Sequence, residues 1–163
     1  MTSLLLISMA LFISLPTSVT SKSEIMENPN NIGGWNIITK SSAKNKCVLQ
    51  SPYQDGSIIQ IEIGPDVGNV TVFNEKFGRI TEGQKLPISL DLDSTKYTFD
   101  AKGTYLYKTP GANIIFKSDE FLYNMMNSYT MTLYHKKKEL SVIELEDSYA
   151  AIDEVILCQS SLK

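Results

Sequence analysis

The chain carries two cysteines, Cys47 and Cys158. An even count with one possible intramolecular pairing constrains this fold more than any other single feature. A bridge between them would close a loop of roughly 110 residues and stabilise the fold by about 4–5 kcal/mol in the chain-entropy model. It would also require the end of the chain to lie against its first strands. Cys158 falls in the stretch Asp147–Gln159, which reads as one amphipathic helix. Ala151, Val155, Cys158 and Leu162 recur on one face of it, with Ile152 and Ile156 beside them. Cys158 is thereby aimed at the core, and the expected disulfide is Cys47–Cys158. Two buried free thiols, the pattern of a cytosolic chain, are the alternative. No Cys-x-x-Cys is present, which leaves a thioredoxin-like site or a zinc cluster without support.

The N-terminus points to export. Leu4 to Leu15 is apolar apart from small residues, Pro16 ends the run, and Val19 and Ser21 fit the −3 and −1 positions of a cleavage site. The apolar run is too short to span a bilayer, which needs about 20 residues. Only the terminal amine supplies positive charge ahead of it, so an uncleaved anchor is the competing reading. The expected organisation is a signal peptide over 1–21, a flexible lead-in over 22–31 and a single α+β domain over 32–163. A net charge of −3 with no basic surplus argues against nucleic acid, and there is no acidic block of the kind that forms a disordered tail.

Inside that domain the polarity pattern has period two for most of its length. Ile59, Ile61 and Ile63 alternate with Gln60 and Glu62, after an Asp55-Gly56 turn. Val70 to Asn74 forms the next strand, and Asn69-Val70-Thr71 matches a glycosylation acceptor. Ile88, Leu90 and Leu92 alternate with Ser89, Asp91 and Asp93, and Pro87 near the start marks an edge strand or a first strand residue. Tyr97, Phe99 and Ala101 continue the pattern, with a bulge or bend expected at Gly103 and a turn at Thr109-Pro110-Gly111. About six strands separated by turn chemistry make a meander. The period then changes. Ser118 caps a helix that opens on Asp119 and Glu120 and continues through Phe121, Leu122, Met125, Met126 and Tyr129. A hairpin of Met131–Tyr134 and Leu140–Leu145 follows, then the closing helix. The order strands–helix–hairpin–helix predicts an α+β fold: an antiparallel β-meander or partly closed barrel packed with two helices.

Several of these features occur together in one family. Trp35 precedes Cys47, and a strand follows a short Asp-Gly turn over Asp55 to Ile63. Val70 to Phe77 leads through Gly83 into an alternating strand, and the chain closes on a Ser-x-x-Ala-Ile helix from Ser148 to Cys158. In this the chain resembles small exported proteins of Gram-negative, mainly alphaproteobacterial, origin and is similar to the invasion-associated locus B family. It departs from that family in carrying only two cysteines. The resemblance implies a periplasmic, non-catalytic accessory protein, of a kind sometimes linked to host-cell entry. The matching positions are structural, so no catalytic or binding residue carries over.

Chemistry has few candidates. His135 is the only histidine, so any Ser-His or Cys-His site would need it, and it reads as an exposed residue at the mouth of a Lys136-Lys137-Lys138 turn. Asp91, Asp93 and Asp100 offer carboxylates for calcium or for acid–base work, although a solvated strand face gives the same pattern. The three lysines read as a guard against edge-to-edge strand pairing. Tyr97, Tyr105, Tyr107, Tyr123, Tyr129, Tyr134 and Tyr149 form a binding surface if exposed together and ordinary core if not. The expectation is an exported protein, periplasmic or secreted, without catalytic, cofactor or metal residues and without a membrane span in its mature form. It works by binding a protein or other macromolecule of the envelope or host. Two alternatives stand beside it. A glycan hydrolase built on Asp91, Asp93 or Asp100 predicts two carboxyls about 5–10 Å apart in a cleft. An inhibitor of a host hydrolase predicts a protruding loop at Gly64–Gly68 or Lys136.

Overall fold

The structure, a computed structural model, describes residues 31–40 and 46–162. The expected signal peptide and nearly all of the lead-in lie outside the described residues. Ten strands form one antiparallel sheet: β1 (Asn31–Ile32), β2 (Trp35–Lys40), β3 (Lys46–Pro52), β4 (Ile58–Ile63), β5 (Gly68–Phe73), β6 (Lys85–Leu92), β7 (Thr95–Leu106), β8 (Thr109–Phe116), β9 (Thr130–His135) and β10 (Lys138–Glu144). Helix α1 (Asp119–Asn127) precedes the last hairpin and α2 (Ser148–Ser161) follows it. The sheet order is β1-β2-β3-β4-β5-β8-β7-β6-β9-β10. This is the expected α+β meander with two helices, curled but not closed strand to strand.

Alternation places the core. Leu86, Ile88, Leu90 and Leu92 are buried along β6, while Lys85 before them and Pro87 among them are exposed. Ile59 and Ile61 are buried along β4, where Gln60 between them is buried too and donates from Nε2 to Gln50 Oε1 at 2.6 Å. The helices cover the apolar face. Phe121 of α1 meets the rings of Tyr97, Phe99 and Phe116 edge-on, with centroids 4.9, 5.1 and 4.9 Å away. Ala151, Ile152 and Val155 of α2 are buried, and the helix packs on β2, β3 and β4. There Cys47 and Cys158 are joined, with Cα atoms 6.0 Å apart across 111 residues of chain. The Cys47 N–H also donates to Gln159 Oε1 at 3.1 Å.

The two ends of the sheet are joined by side chains. As β10 and the residues after it advance, they pass across the turns of the first half of the sheet. Leu140 O accepts from Lys76 Nζ at 2.7 Å, Glu144 O from Tyr53 OH at 2.8 Å and Glu146 O from Trp35 Nε1 at 3.1 Å. Between them Ser141 Oγ donates to Asp55 Oδ2 at 2.6 Å and accepts from Ser57 Oγ at 3.1 Å, and Ser57 Oγ accepts from Asn74 Nδ2 at 2.7 Å. Two carbonyls of the edge strand and one of the link beyond it thus find donors without a further strand, which removes a template for edge pairing.

Four local expectations are corrected. The closing helix begins at Ser148, one of the two starts that the sequence allows at Asp147 or Ser148, with Asp147 at φ +61° as its N-cap, but it runs on to Ser161 and does not end at Gln159. Strand β6 is interior, between β7 and β9, yet Pro87 lies just beyond the β9 ladder, which begins at Ile88 and His135. No ladder bond is lost there for want of an N–H. Strand β7 runs unbroken through Gly103, whose bare Cα admits the loop before β6: its N–H donates to Gln84 O at 2.7 Å and its carbonyl accepts from Gly83 N–H at 2.8 Å. The turn expected at Thr109-Pro110-Gly111 falls instead at Tyr107-Lys108, and those three residues begin β8.

Candidate functional site

Where α1 ends and α2 begins, the two helices leave an open groove of about 610 Å³ between them, bordered by the start of β9 and the end of β10. Tyr129 and Tyr149 line it with Met126, and Glu144, Glu146 and Asp147 supply its charge. Among the described residues no lysine, arginine or histidine lines it. Tyr129 is 81 % exposed and Tyr149 57 % exposed. Tyr123, 65 % exposed, stands three and four residues before the groove residues Met126 and Asn127 on α1. That spacing puts it on their face and extends the aromatic surface by about one helical turn of 5.4 Å.

The groove is rigid where its tyrosine is most exposed. The Tyr129 N–H donates to Asp93 Oδ2 at 2.6 Å, and its carbonyl accepts from the Leu145 N–H at 2.8 Å. The next residue donates twice to Asp93 Oδ1, from Thr130 N–H at 2.9 Å and Thr130 Oγ1 at 2.8 Å. Partial burial alone would raise the Asp93 pKa. The hydrogen bonds from Tyr129 and Thr130 outweigh that effect and hold it below the ordinary carboxylate value. Ser148 Oγ donates to Met125 O at 3.2 Å and reaches Met126 O at 3.4 Å, tying the start of α2 to the end of α1. An aromatic ring in water on a fixed backbone is the arrangement that binding surfaces use, because little freedom is lost on contact.

The remaining candidates fall elsewhere. His135 is not an exposed turn residue: it is buried, its ring faces Phe77 at 6.0 Å, and Nδ1 lies 3.0 Å from Pro87 O. The turn is only Lys136-Lys137, both at positive φ, and Lys136 to Lys138 are exposed. Asp91 Oδ1 accepts from the Ser94 N–H at 2.7 Å, Asp93 is held as described, and Asp100 sits exposed on β7 opposite Pro87. These three carboxylates are thus spread along the β6–β7 hairpin and its turn. The Gly64–Val67 turn is closed by Gly64 N–H to Val67 O at 3.0 Å, and Gly64 and Pro65 border a hollow of about 350 Å³ against Ile156 and Gln159 of α2. Asn69 lies half-buried inside β5, paired on both sides. Among the described residues no three His, Cys, Asp or Glu side chains gather as a metal set. No helix among them is long and apolar enough to cross a membrane.

The tyrosines divide. Tyr97 stacks beside Phe99 and under Phe121, and Tyr105 donates from its hydroxyl to Ile80 O at 2.5 Å. Tyr107 is exposed at the β7–β8 turn. Only Tyr129 and Tyr149, with Tyr123, gather at the groove. The helical spacing predicts Tyr129 on α1, but the helix ends at Asn127 and Tyr129 belongs to the link into β9.

These features define a disulfide-bonded α+β protein whose curled antiparallel sheet carries two helices and a tyrosine-lined groove between their ends. No family model matches the chain, and no curated protein matches it by sequence. Among solved structures it is similar to invasion associated protein B from Bartonella henselae. The TM-score is 0.61 and the identity 15 %, over 88 % of this chain and 99 % of that one. At that identity the likeness is one of fold.

Proposed function

We propose that this is an exported, non-catalytic accessory protein that binds a protein of the cell envelope or of a host through the groove between α1 and α2. The observation that carries the reading is Tyr129: its backbone is bonded on both sides while its ring is 81 % exposed. Exposed, pre-placed tyrosines are characteristic anchors of protein interfaces. The Cys47–Cys158 bridge fits an oxidising compartment, the periplasm or the exterior. The fold shared with an invasion associated protein supports a role of that kind.

The test compares wild-type protein with the Tyr129→Ala, Tyr149→Ala double variant as baits in envelope and host-cell extracts. The reading expects a protein retained by wild type and lost by the variant, with both baits equally stable to heat. Equal retention by both would move the binding surface elsewhere. Cell fractionation that found the oxidised protein in the cytosol would remove the export half of the reading.

A further inference from the structure

We infer that the groove between α1 and α2 takes an arginine or lysine side chain from an extended basic segment of the partner protein. This rests on the protein-binding reading above and adds the chemistry of the contact.

Two independent features agree. The first is the pair of ring faces. Tyr129 and Tyr149 are largely exposed, as is Tyr123. A guanidinium or ammonium is drawn to the face of such a ring. The second is sign. Glu144 and Asp147 bring carboxylates to the groove, and among the described residues no cation lines it. An acidic ligand would meet like charges there. An apolar one would strip water from carboxylates without replacing it. A guanidinium satisfies both walls, with its plane on a ring and its N–H groups on a carboxylate.

The surroundings reinforce the choice. At the adjoining β6–β7 turn lie Asp91 and Asp93, with Lys96 opposite Asp91 as the one nearby cation in that ladder. The far end of the same strands carries Lys85, Lys102, Lys136, Lys137 and Lys138 against the two carboxylates Asp100 and Glu139. The unit β7-β6-β9-β10 is therefore polarised along its length, and its field draws a basic segment toward the groove end. The groove volume of about 610 Å³ exceeds one side chain, and Tyr123 prolongs the aromatic surface along α1. Both favour a side chain presented on a stretch of peptide.

The experiment uses the oxidised protein and three capped Gly/Ser heptapeptides carrying two arginines, two glutamates or two leucines at the same positions. Binding is read by calorimetry and by the fluorescence of Trp35, whose Nε1 is bonded to the groove residue Glu146. The arginine peptide should bind saturably at one site, and the other two should not. Tyr129→Leu, which keeps bulk but not the ring face, and Glu144→Gln should each weaken it by about tenfold, while Tyr129→Phe should keep it. Asp119→Asn with Glu120→Gln, two charges removed at the other end of α1, should leave it unchanged. Thermal melts verify that every variant is folded. Loss of affinity in the Asp119/Glu120 variant equal to that in the groove variants would reduce the binding to net charge and overturn the inference. So would Tyr129-dependent binding of the leucine or glutamate peptide, which would leave the protein-binding reading standing. Failure of all three peptides, beside an extract partner still lost on Tyr129→Ala, Tyr149→Ala, would overturn the basic-segment inference alone.

Discussion

The indole Nε1–H of Trp35 donates to the carbonyl oxygen of Glu146 at 3.1 Å, across 111 residues of chain. With Tyr53 to Glu144 and Lys76 to Leu140, it is one of three side-chain donors that satisfy carbonyls along the last strand and the link beyond it. Trp35 is fully buried, so its bond to Glu146 is made away from competing water. Trp35→Phe keeps most of the ring and removes the donor. The expected loss is about 0.5–1.5 kcal/mol, the net contribution of one ordinary hydrogen bond. Urea unfolding of the oxidised protein measures it; an unchanged midpoint with an unchanged m-value would show that this closure does not contribute.

Tyr53 gives the closure a pH signature. Burial is the largest effect on its phenol and raises the pKa; a hydrogen bond with Ser51 works against this, and Glu144 and Asp55 add to the rise. The unfolded phenol ionises near pH 10, while the folded one keeps its proton to higher pH. The stability it contributes is therefore complete below about pH 10 and falls as pH rises through the interval between the two values. Tyr53→Phe should cost about 1 kcal/mol at neutral pH. The gap between wild type and variant should then narrow in alkaline solution. Thermal melts at pH 7, 9 and 10.5 test this, and a gap that does not change with pH would contradict the assignment.

Much of the architecture is legible in the sequence because it follows from period. Ile59 and Ile61, and Ile88 with Leu90 and Leu92, alternate because one face of the sheet is buried, and no tertiary information is needed to read that. Ser118 marks the start of α1 by local capping: its Oγ accepts from the Phe121 N–H at 3.2 Å. The cysteine pair is legible by arithmetic. What is not legible depends on where the ends of strands arrive. His135 looks exposed beside three lysines, but β9 extends to it and turns only at Lys136. Asp93 looks like a strand-face carboxylate, but its partners, Tyr129 and Thr130, come from a segment 36 and 37 residues away. The groove inherits that difficulty, since two separated stretches, 126–130 and 144–149, build it and only the tyrosine count signals it.

The bridge between Cys47 and Cys158 should be complete in the purified protein: alkylation after denaturation without reductant should label neither cysteine. Cys47→Ala with Cys158→Ala opens a loop of 111 residues. The expected loss is about 4–5 kcal/mol by the chain-entropy argument. Hydrogen exchange should rise first in α2, because its contacts with β2, β3 and β4 then rely on packing and on the one bond from the residue-47 N–H to Gln159. A free thiol in the native protein would refute the pairing.

Asp93 links stability to the groove. Its pKa is held low in the fold, so its contribution is present above the ordinary aspartate value of about 3.9 and is lost as pH falls through the lower folded value. Asp93→Asn keeps one acceptor and loses the charge. It should reduce the steepness of acid unfolding below pH 4 and loosen Tyr129. Exchange of the Tyr129 and Thr130 amides, followed by NMR, should accelerate while those of β4 and β5 do not. Uniform acceleration across the sheet would mean that Asp93 supports the whole fold and not this corner.

Gly33 and Asp147 show how tightly the first hairpin is fitted to the last helix. Gly33 and Gly34 form the two-residue turn between β1 and β2, both at positive φ, +52° and +85°. A Cβ at Gly33 would run into the Cβ and carboxyl group of Asp147. Asp147 is itself at positive φ and sits at the N-cap of α2, so it has little freedom to withdraw. Gly33→Ala therefore meets two penalties: a left-handed backbone of roughly 1–2 kcal/mol and displacement of the residue that starts α2. Gly56→Ala is the control, because Gly56 has φ +82° but nothing within 4 Å of its Cβ. Gly33→Ala should lower the urea midpoint more than Gly56→Ala does, and should also shift the emission of Trp35, two residues further along. Equal losses in the two variants, with unchanged emission, would show that backbone strain accounts for the whole effect and that the contact with Asp147 yields freely.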